Sequence, residues 1–163
     1  MTSPLPFEFT VDKQNRIILV TKEFAADRNR VWDAFTKPEL LDTWWAPKPW
    51  KTRTKAMDFR EGGQWLYAMV SPEGEEHWSS CDYLSITSGE SFSGLDGFTD
   101  PAGTLIPGMP RMKWTVTFND NGPHTVVKVH ITLDTLEELE KIIEMGFKEG
   151  FTMTLHALDE MFA

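Results

Sequence analysis

Two aspartates on predicted strands are the residues best suited to chemistry in this sequence. Asp82 lies in segment 77–86 and Asp96 in segment 91–98. A carboxylate that points inward is desolvated, which raises its pKa, and such a group can act as a general base for cyclisation or dehydration. Aspartates are mostly exposed in folded proteins, so we favour an outward, solvated position for each and predict no catalytic residue.

The histidines and the single cysteine do not indicate a metal site. The four histidines, at positions 77, 124, 130 and 156, have no spacing such as H-x-x-x-H that would hold a metal on one helix face. Cys81 is better interpreted as a small buried hydrophobic residue than as a nucleophile. The sequence therefore predicts no metal and no cofactor, and it favours a protein that is not an enzyme without deciding the question.

Gly146 and Gly150 lie in the middle of an apolar helix face. Each glycine costs about 1 kcal/mol relative to alanine inside a helix, so another feature should compensate for it. Either the glycines let a strand approach closely, or they leave space above the helix for a ligand. With Phe147 and Met153 on the same face, the second alternative gives an apolar cavity. Both alternatives stay open on the sequence alone.

The elements that must position these residues begin with a strand and two short helices. Residues 16–24 are rich in β-branched side chains, which predicts a strand. Asp27 is suited to cap a helix over residues 28–36. Thr36 and Glu39 have the spacing of a capping box, which predicts that a second short helix starts there.

Further strands and one long helix follow. Alternation with period two and short turns predict one antiparallel sheet of six to seven strands, and the Asn-Gly turn at 121–122 is typical of a hairpin. After the first strand, the predicted strands cover residues 51–57, 64–70, 77–86, 91–98, 111–118 and 125–133. From 136 to 161 apolar residues recur with the helical period, which predicts one long amphipathic C-terminal helix against the sheet. The fold class is α+β.

Large apolar side chains that alternate along the strands form rows on the face that we expect to cover this helix. In the simpler interpretation these rows only fill the core. The rows nearest the short helices are our choice for a ligand site, with Phe92 and Phe98 near its mouth and with methionines that adapt to varied ligands. The predicted ligand-binding residues are Trp44, Trp45, Trp65, Tyr67, Met69, Phe92, Phe98, Met112, Trp114, Gly146, Phe147, Gly150 and Met153.

Several motifs in this order resemble one protein family. They are 31–36 (VWDAFT) with 38–40 (PEL), 44–47 (WWAP), 58–63 (DFREGG), 71–74 (SPEG), the strand with Tyr83, and 114–118 (WTVTF) followed by Thr125. Together they resemble the activator of heat-shock-protein-90 ATPase homologue-like family of the START-like (SRPBCC) superfamily, from about residue 16 onward. The chain departs from the family in Phe147 and Phe151, where the family often has Trp after the glycine, and in Cys81, where it often has Gly.

The resemblance implies a helix-grip (START/birch-pollen-allergen-like) fold, in which a curved antiparallel sheet wraps around the C-terminal helix with a pocket between them. Relatives include lipid carriers, hormone receptors, polyketide cyclases and co-chaperone domains, so the fold does not fix the function. We favour binding of a small apolar molecule, such as a lipid, in that pocket. The alternatives are a co-chaperone-type domain that stimulates a heat-shock-protein-90 ATPase and a polyketide cyclase/dehydratase-like enzyme.

Length and charge narrow the classes of partner. The chain of 163 residues fits one domain, which we place at 16–163 after a flexible lead-in at 1–15. A net charge of −9 argues against nucleic acid and anionic membranes as partners. No segment has the roughly 20 apolar residues of a transmembrane helix. We therefore expect a cytoplasmic protein that is a monomer or a weak dimer.

Overall fold

The computed structural model describes residues 5–163, and within them eight strands form a single open sheet. The strands are β1 (Phe7–Asp12), β2 (Ile17–Phe24), β3 (Lys51–Met57), β4 (Gln64–Val70), β5 (Glu76–Thr87), β6 (Ser91–Thr99), β7 (Lys113–Asn121) and β8 (His124–Thr132). The helices are α1 (Arg28–Thr36), α2 (Pro38–Trp44), α3 (Leu136–Glu144) and α4 (Phe147–Met161). This is the predicted α+β helix-grip architecture.

The sheet has the order β1-β2-β8-β7-β6-β5-β4-β3, and every neighbouring pair is antiparallel. Strands β3 to β8 are therefore consecutive hairpins. Strand β2 joins them by pairing with β8, and α1 and α2 make the connection from β2 to β3. This order brings the first and last thirds of the chain together.

The sheet has one strand more than the six to seven that we predicted, because part of the expected lead-in is a strand. Residues 7–12 read Phe-Glu-Phe-Thr-Val-Asp, and all six pair with β2. The prediction of a flexible lead-in is therefore wrong for this segment. Residues 1–4 of that lead-in lie outside the described residues.

The short helices start as their local sequence requires, with one exception. The Asp27 side chain accepts a hydrogen bond from the Arg30 N–H at 2.9 Å, so it caps α1 as predicted. The predicted capping box is wrong, because Lys37 is the N-cap of α2 and makes no side-chain cap. Thr36 ends α1, and its hydroxyl donates to the Trp32 carbonyl at 2.8 Å.

The predicted single C-terminal helix is divided into α3 and α4. Gly146 has φ 88°, a left-handed conformation that ends α3 and begins α4. Its N–H donates to the Ile143 carbonyl at 3.1 Å, and its own carbonyl accepts from the Gly150 N–H at 2.9 Å. Gly146 therefore serves the backbone turn rather than a close strand contact. None of the helices within residues 5–163 has the length and apolar character needed to cross a lipid bilayer.

One face of the sheet packs against the four helices and encloses the core. A partly buried ion pair joins α4 to β2: the Lys22 ammonium lies 2.9 Å from the Asp159 carboxylate, and the side chains are 3% and 33% exposed. A buried charge is tolerated only with such a partner. The core itself is made of fully buried apolar side chains from the sheet and the helices, which include Ile18, Val20, Val31, Val116, Val127, Ile131, Leu139, Leu155 and Leu158.

We predict opposite stability effects for alanine at the two glycines. Gly146→Ala should lower the free energy of unfolding by about 1–2 kcal/mol, because a side chain disfavours the left-handed conformation. Gly150→Ala should raise it by up to about 1 kcal/mol, because this glycine is inside α4 and an added Cβ would lie 3.8 Å from Pro47 Cγ, an ordinary contact. Urea unfolding of both variants measures the difference, and changes of the same sign would contradict this account of the helix break.

Candidate functional site

A partly open cavity of about 260 Å³ lies between the sheet and the C-terminal helices. Strands β4 to β6 and the start of β7 form one wall, α3 and α4 form the other, and the segment after α2 forms an edge. Its lining residues are Trp45, Pro47, Tyr67, Met69, His77, Ser79, Asp96, Gly97, Phe98, Met112, Trp114, Ile142, Met145, Gly146, Phe147, Gly150, Phe151 and Thr154.

Trp45 connects the two walls of this cavity. Its indole N–H donates to the Tyr67 hydroxyl on β4 at 3.0 Å. Its ring centroid lies 5.8 Å from that of Trp114 on β7 and 6.1 Å from that of Phe151 on α4. Because this large, rigid side chain packs on both walls, it limits how closely they can approach each other.

The helix wall presents aromatic faces. The Phe147 and Phe151 rings on α4 are stacked, with centroids 5.4 Å apart and an angle of 14° between their planes. Trp114 meets both of them edge to face, at 5.8 and 5.4 Å. Gly150, between the two phenylalanines in sequence, adds no side chain to this surface, so the rings border open space.

Among the described residues that line the cavity, Asp96 is the one with a carboxylate side chain. It lies on β6 and is half-buried, with access through the cavity. One carboxylate oxygen, Oδ1, accepts from the Met112 backbone N–H at 2.7 Å, and the other, Oδ2, accepts from the Trp114 indole N–H at 2.8 Å. Asp96 thus holds the start of β7 and orients one of the cavity's rings.

Burial dominates the electrostatics of the site. It raises the pKa of Asp96 to about 6, and the two hydrogen bonds that Asp96 accepts limit the increase. Burial also raises the pKa of the Tyr67 phenol and that of the Cys81 thiol, so both groups are protonated at neutral pH. His77, which is exposed at the rim and bonded to Glu75, is the one basic side chain among the described lining residues.

Residues 25–163 match the family model for the Activator of Hsp90 ATPase homolog 1-like protein. The chain belongs to this family. The match confirms the resemblance to that branch of the START-like superfamily. We call it the Hsp90-activator-like family.

Solved structures of similar proteins agree with this Hsp90-activator-like assignment. Protein Ms6760 from Mycobacterium smegmatis is 26% identical over 97% of this chain and 98% of its own, with a TM-score of 0.89. A protein from Arthrobacter aurescens is 26% identical over 93% of this chain and 88% of its own, with a TM-score of 0.88. CalU16 from Micromonospora echinospora is 17% identical over 98% of this chain and 86% of its own, with a TM-score of 0.62, and so shares the fold alone. No curated protein matches the sequence significantly.

Most of the ligand-binding residues that we predicted from the sequence line the cavity between the sheet and the C-terminal helices. They are Trp45, Tyr67, Met69, Phe98, Met112, Trp114, Gly146, Phe147 and Gly150. Trp44 lies outside it, since its side chain is fully buried and its indole N–H donates to the Ala34 carbonyl. Trp65 and Phe92 line a second, smaller space of about 40 Å³, so Phe92 is in the core and not at the mouth.

Met153 is also misplaced by the sequence analysis. Its side chain is 47% exposed and it does not line the cavity. The prediction placed Met153 on the apolar face of one continuous helix that starts at residue 136. Gly146 interrupts that helix, so α4 presents a different set of side chains to the sheet.

Asp96 lines the cavity, although we predicted an outward, solvated position for it. The expected outward position is wrong for Asp96, whereas Asp82 lies on the opposite face and binds Arg111 at 2.8 Å. The alternation of side chains along β6 indicates the inward position, because Asp96 lies four residues from Phe92 and two from Phe98 on the same strand. All three therefore share one face of β6.

We predict that Asp96 titrates near pH 6 rather than near its ordinary 3.8. The native state then holds this proton more tightly than the unfolded chain does. Its contribution to the free energy of unfolding is complete below a pH of about 4 and is lost as the pH rises to about 6, by at most about 3 kcal/mol. NMR measures the titration through the Asp96 carboxyl carbon and the Trp114 indole proton.

Two variants separate this titration from that of a neighbouring acid. Asp96→Asn should abolish the Trp114 response with a midpoint near pH 6, and Asp82→Asn should leave it in place. A Trp114 midpoint below a pH of about 4.5 would mean that desolvation does not control this carboxyl.

Proposed function

We propose that this chain binds a small apolar molecule in the cavity between the sheet and the C-terminal helices. The observation that carries the proposal is a cavity of about 260 Å³ with aromatic walls and few polar groups. Ligand sites are typically concave and apolar, with a small number of polar groups that fix orientation. The volume lies slightly below the roughly 300–1,000 Å³ that is typical of such sites, so we expect a ligand smaller than most drugs.

The energetics predict weak affinity for a small neutral ligand. A ligand that buries about 200 Å² of apolar surface gains roughly 5 kcal/mol at about 25 cal/mol per Å². Association and the ordering of side chains subtract from this gain. Small neutral probes should therefore bind with dissociation constants of about 1 mM or weaker, which NMR titration can measure. Met69 and Met112 in the lining would adapt to different shapes.

We predict that Gly150→Leu weakens binding of the neutral probe 2-phenylethanol at least tenfold. Gly150 lines the cavity, and the position has room for a Cβ next to Pro47, so a leucine side chain would occupy space that the ligand needs. NMR titration gives the affinity, and the Trp45 and Trp114 indole resonances show whether the probe is in the cavity.

Met153→Leu is the matched control. Met153 is on the same helix, is 47% exposed and lies outside the cavity. The Met153→Leu variant should therefore bind the probe with the affinity of the unmodified chain. Equal losses in both variants would count against the cavity as the site. Mass spectrometry of solvent extracts from the purified protein tests in addition for a retained natural ligand.

The co-chaperone alternative is supported by the description of the family, whose model covers residues 25–163. In this alternative the chain raises the ATPase rate of a heat-shock-protein-90-type chaperone at micromolar concentration. A stimulation that Gly150→Leu leaves intact would favour the co-chaperone role over cavity binding.

The cyclase/dehydratase alternative is supported by Asp96, a carboxylate in an apolar cavity with a pKa raised to about 6. Such a group can remove a proton from carbon next to a carbonyl group. In this alternative Asp96→Asn abolishes turnover while the chain still binds the substrate.

A further inference from the structure

We infer, on the basis of the proposed function, that the mostly apolar ligand carries one cationic amine and that this amine pairs with Asp96 in the cavity. The hydrogen bonding of the carboxylate is the first reason. An ionised carboxylate has about four acceptor positions. Each oxygen of Asp96 accepts one protein hydrogen bond, from Met112 or from Trp114, so each retains capacity for a donor that enters through the cavity.

The second reason is that Asp96 has no direct ion pair within residues 5–163, although the charge of Arg111 lowers its pKa somewhat. None of the ion pairs in that range includes Asp96. The nearby guanidinium of Arg111 binds the Asp82 carboxylate and the backbone carbonyl of Asp96. A buried charge is costly unless it is paired, so a cation supplied by the ligand would remove a penalty that the free protein carries.

The third reason is the aromatic lining around the carboxylate. Trp45, Trp114, Phe147 and Phe151 border the same cavity as Asp96. Aromatic faces attract ammonium groups through the ring quadrupole, and the attraction is stronger where water is excluded. The hydroxyl of Ser79, also in the lining, offers a further acceptor for an ammonium N–H.

An anionic ligand lacks all three of these contacts. It would meet the charge of Asp96, and His77 at the rim is the one basic side chain among the described lining residues. A neutral apolar ligand would fill the cavity but would leave Asp96 without a counter-ion. The three ligand charges therefore predict three affinities.

The test compares three probes of similar shape: 2-phenylethylamine, which is cationic, 2-phenylethanol, which is neutral, and 3-phenylpropanoate, which is anionic. At pH 7.5 we expect the amine to bind at least tenfold more tightly than the alcohol, and the carboxylate to bind most weakly. NMR titration gives the affinities, and the Trp114 indole resonance reports contact at Asp96.

Two carboxylate variants show whether the preference comes from Asp96. Asp96→Asn should reduce the preference for the amine over the alcohol to about twofold or less while the alcohol still binds. Asp82→Asn removes the same charge from the opposite face of the sheet and should retain the full preference.

The pH dependence of the unmodified protein gives a test that does not need a variant to fold. Of the groups near Asp96, Tyr67 and Cys81 stay protonated throughout, and Arg111 and Asp82 lie on the other face. Protonation of Asp96, with its pKa of about 6, should weaken amine binding about tenfold between pH 7.5 and pH 5. His77→Gln removes the histidine at the rim and should leave this dependence in place.

The outcomes distinguish this inference from the proposed function. If the amine and the alcohol bind equally well, the inference is wrong and cavity binding stands. If none of the three probes binds, both are wrong. A preference for the amine that is independent of pH between 5 and 7.5, or that persists in Asp96→Asn, also overturns the inference.

Discussion

The contacts of one indole ring, that of Trp45, hold the cavity open. Trp45 follows α2, donates a hydrogen bond to the Tyr67 hydroxyl on β4, and packs against Trp114 on β7 and Phe151 on α4. Since a single rigid side chain touches the sheet and the helix at once, its size limits how closely they can approach at this end of the core. The space between the walls is therefore a consequence of ring packing as well as of absent side chains, and it is compatible with a dense core elsewhere.

The sequence predicted the sheet and the strand wall of the cavity because both depend on period-two alternation within single strands. Residues 7–12 also form a strand, but Pro4 and Pro6 directly before them are typical of an irregular segment. Asp96 was harder to predict. Aspartates usually face solvent, and this general preference outweighed the strand alternation that places Asp96 on the same face as Phe92 and Phe98. Its burial is compensated by Met112 and Trp114, and that pairing between two strands cannot be read from either strand alone.

The helix break was beyond prediction for a related reason. Gly146 fits the helical period, so its residue type agrees equally with a helix interior and with a left-handed turn. Only the packing of both flanking helices against the sheet distinguishes the two. This local ambiguity had a distant effect, because it placed Met153 in the predicted cavity, whereas its side chain lies on the surface.

The junction between α3 and α4 lies in the wall of the cavity, where Met145, Gly146 and Phe147 are all lining residues. The wall is therefore made of two separately anchored parts, of which α4 is fixed by the pair Lys22–Asp159. An insertion or deletion at 145–146 would alter the aperture without breaking a hydrogen bond of the sheet or this ion pair. For protein engineering, the junction is a place where ligand size can be adjusted independently of the framework that supports it.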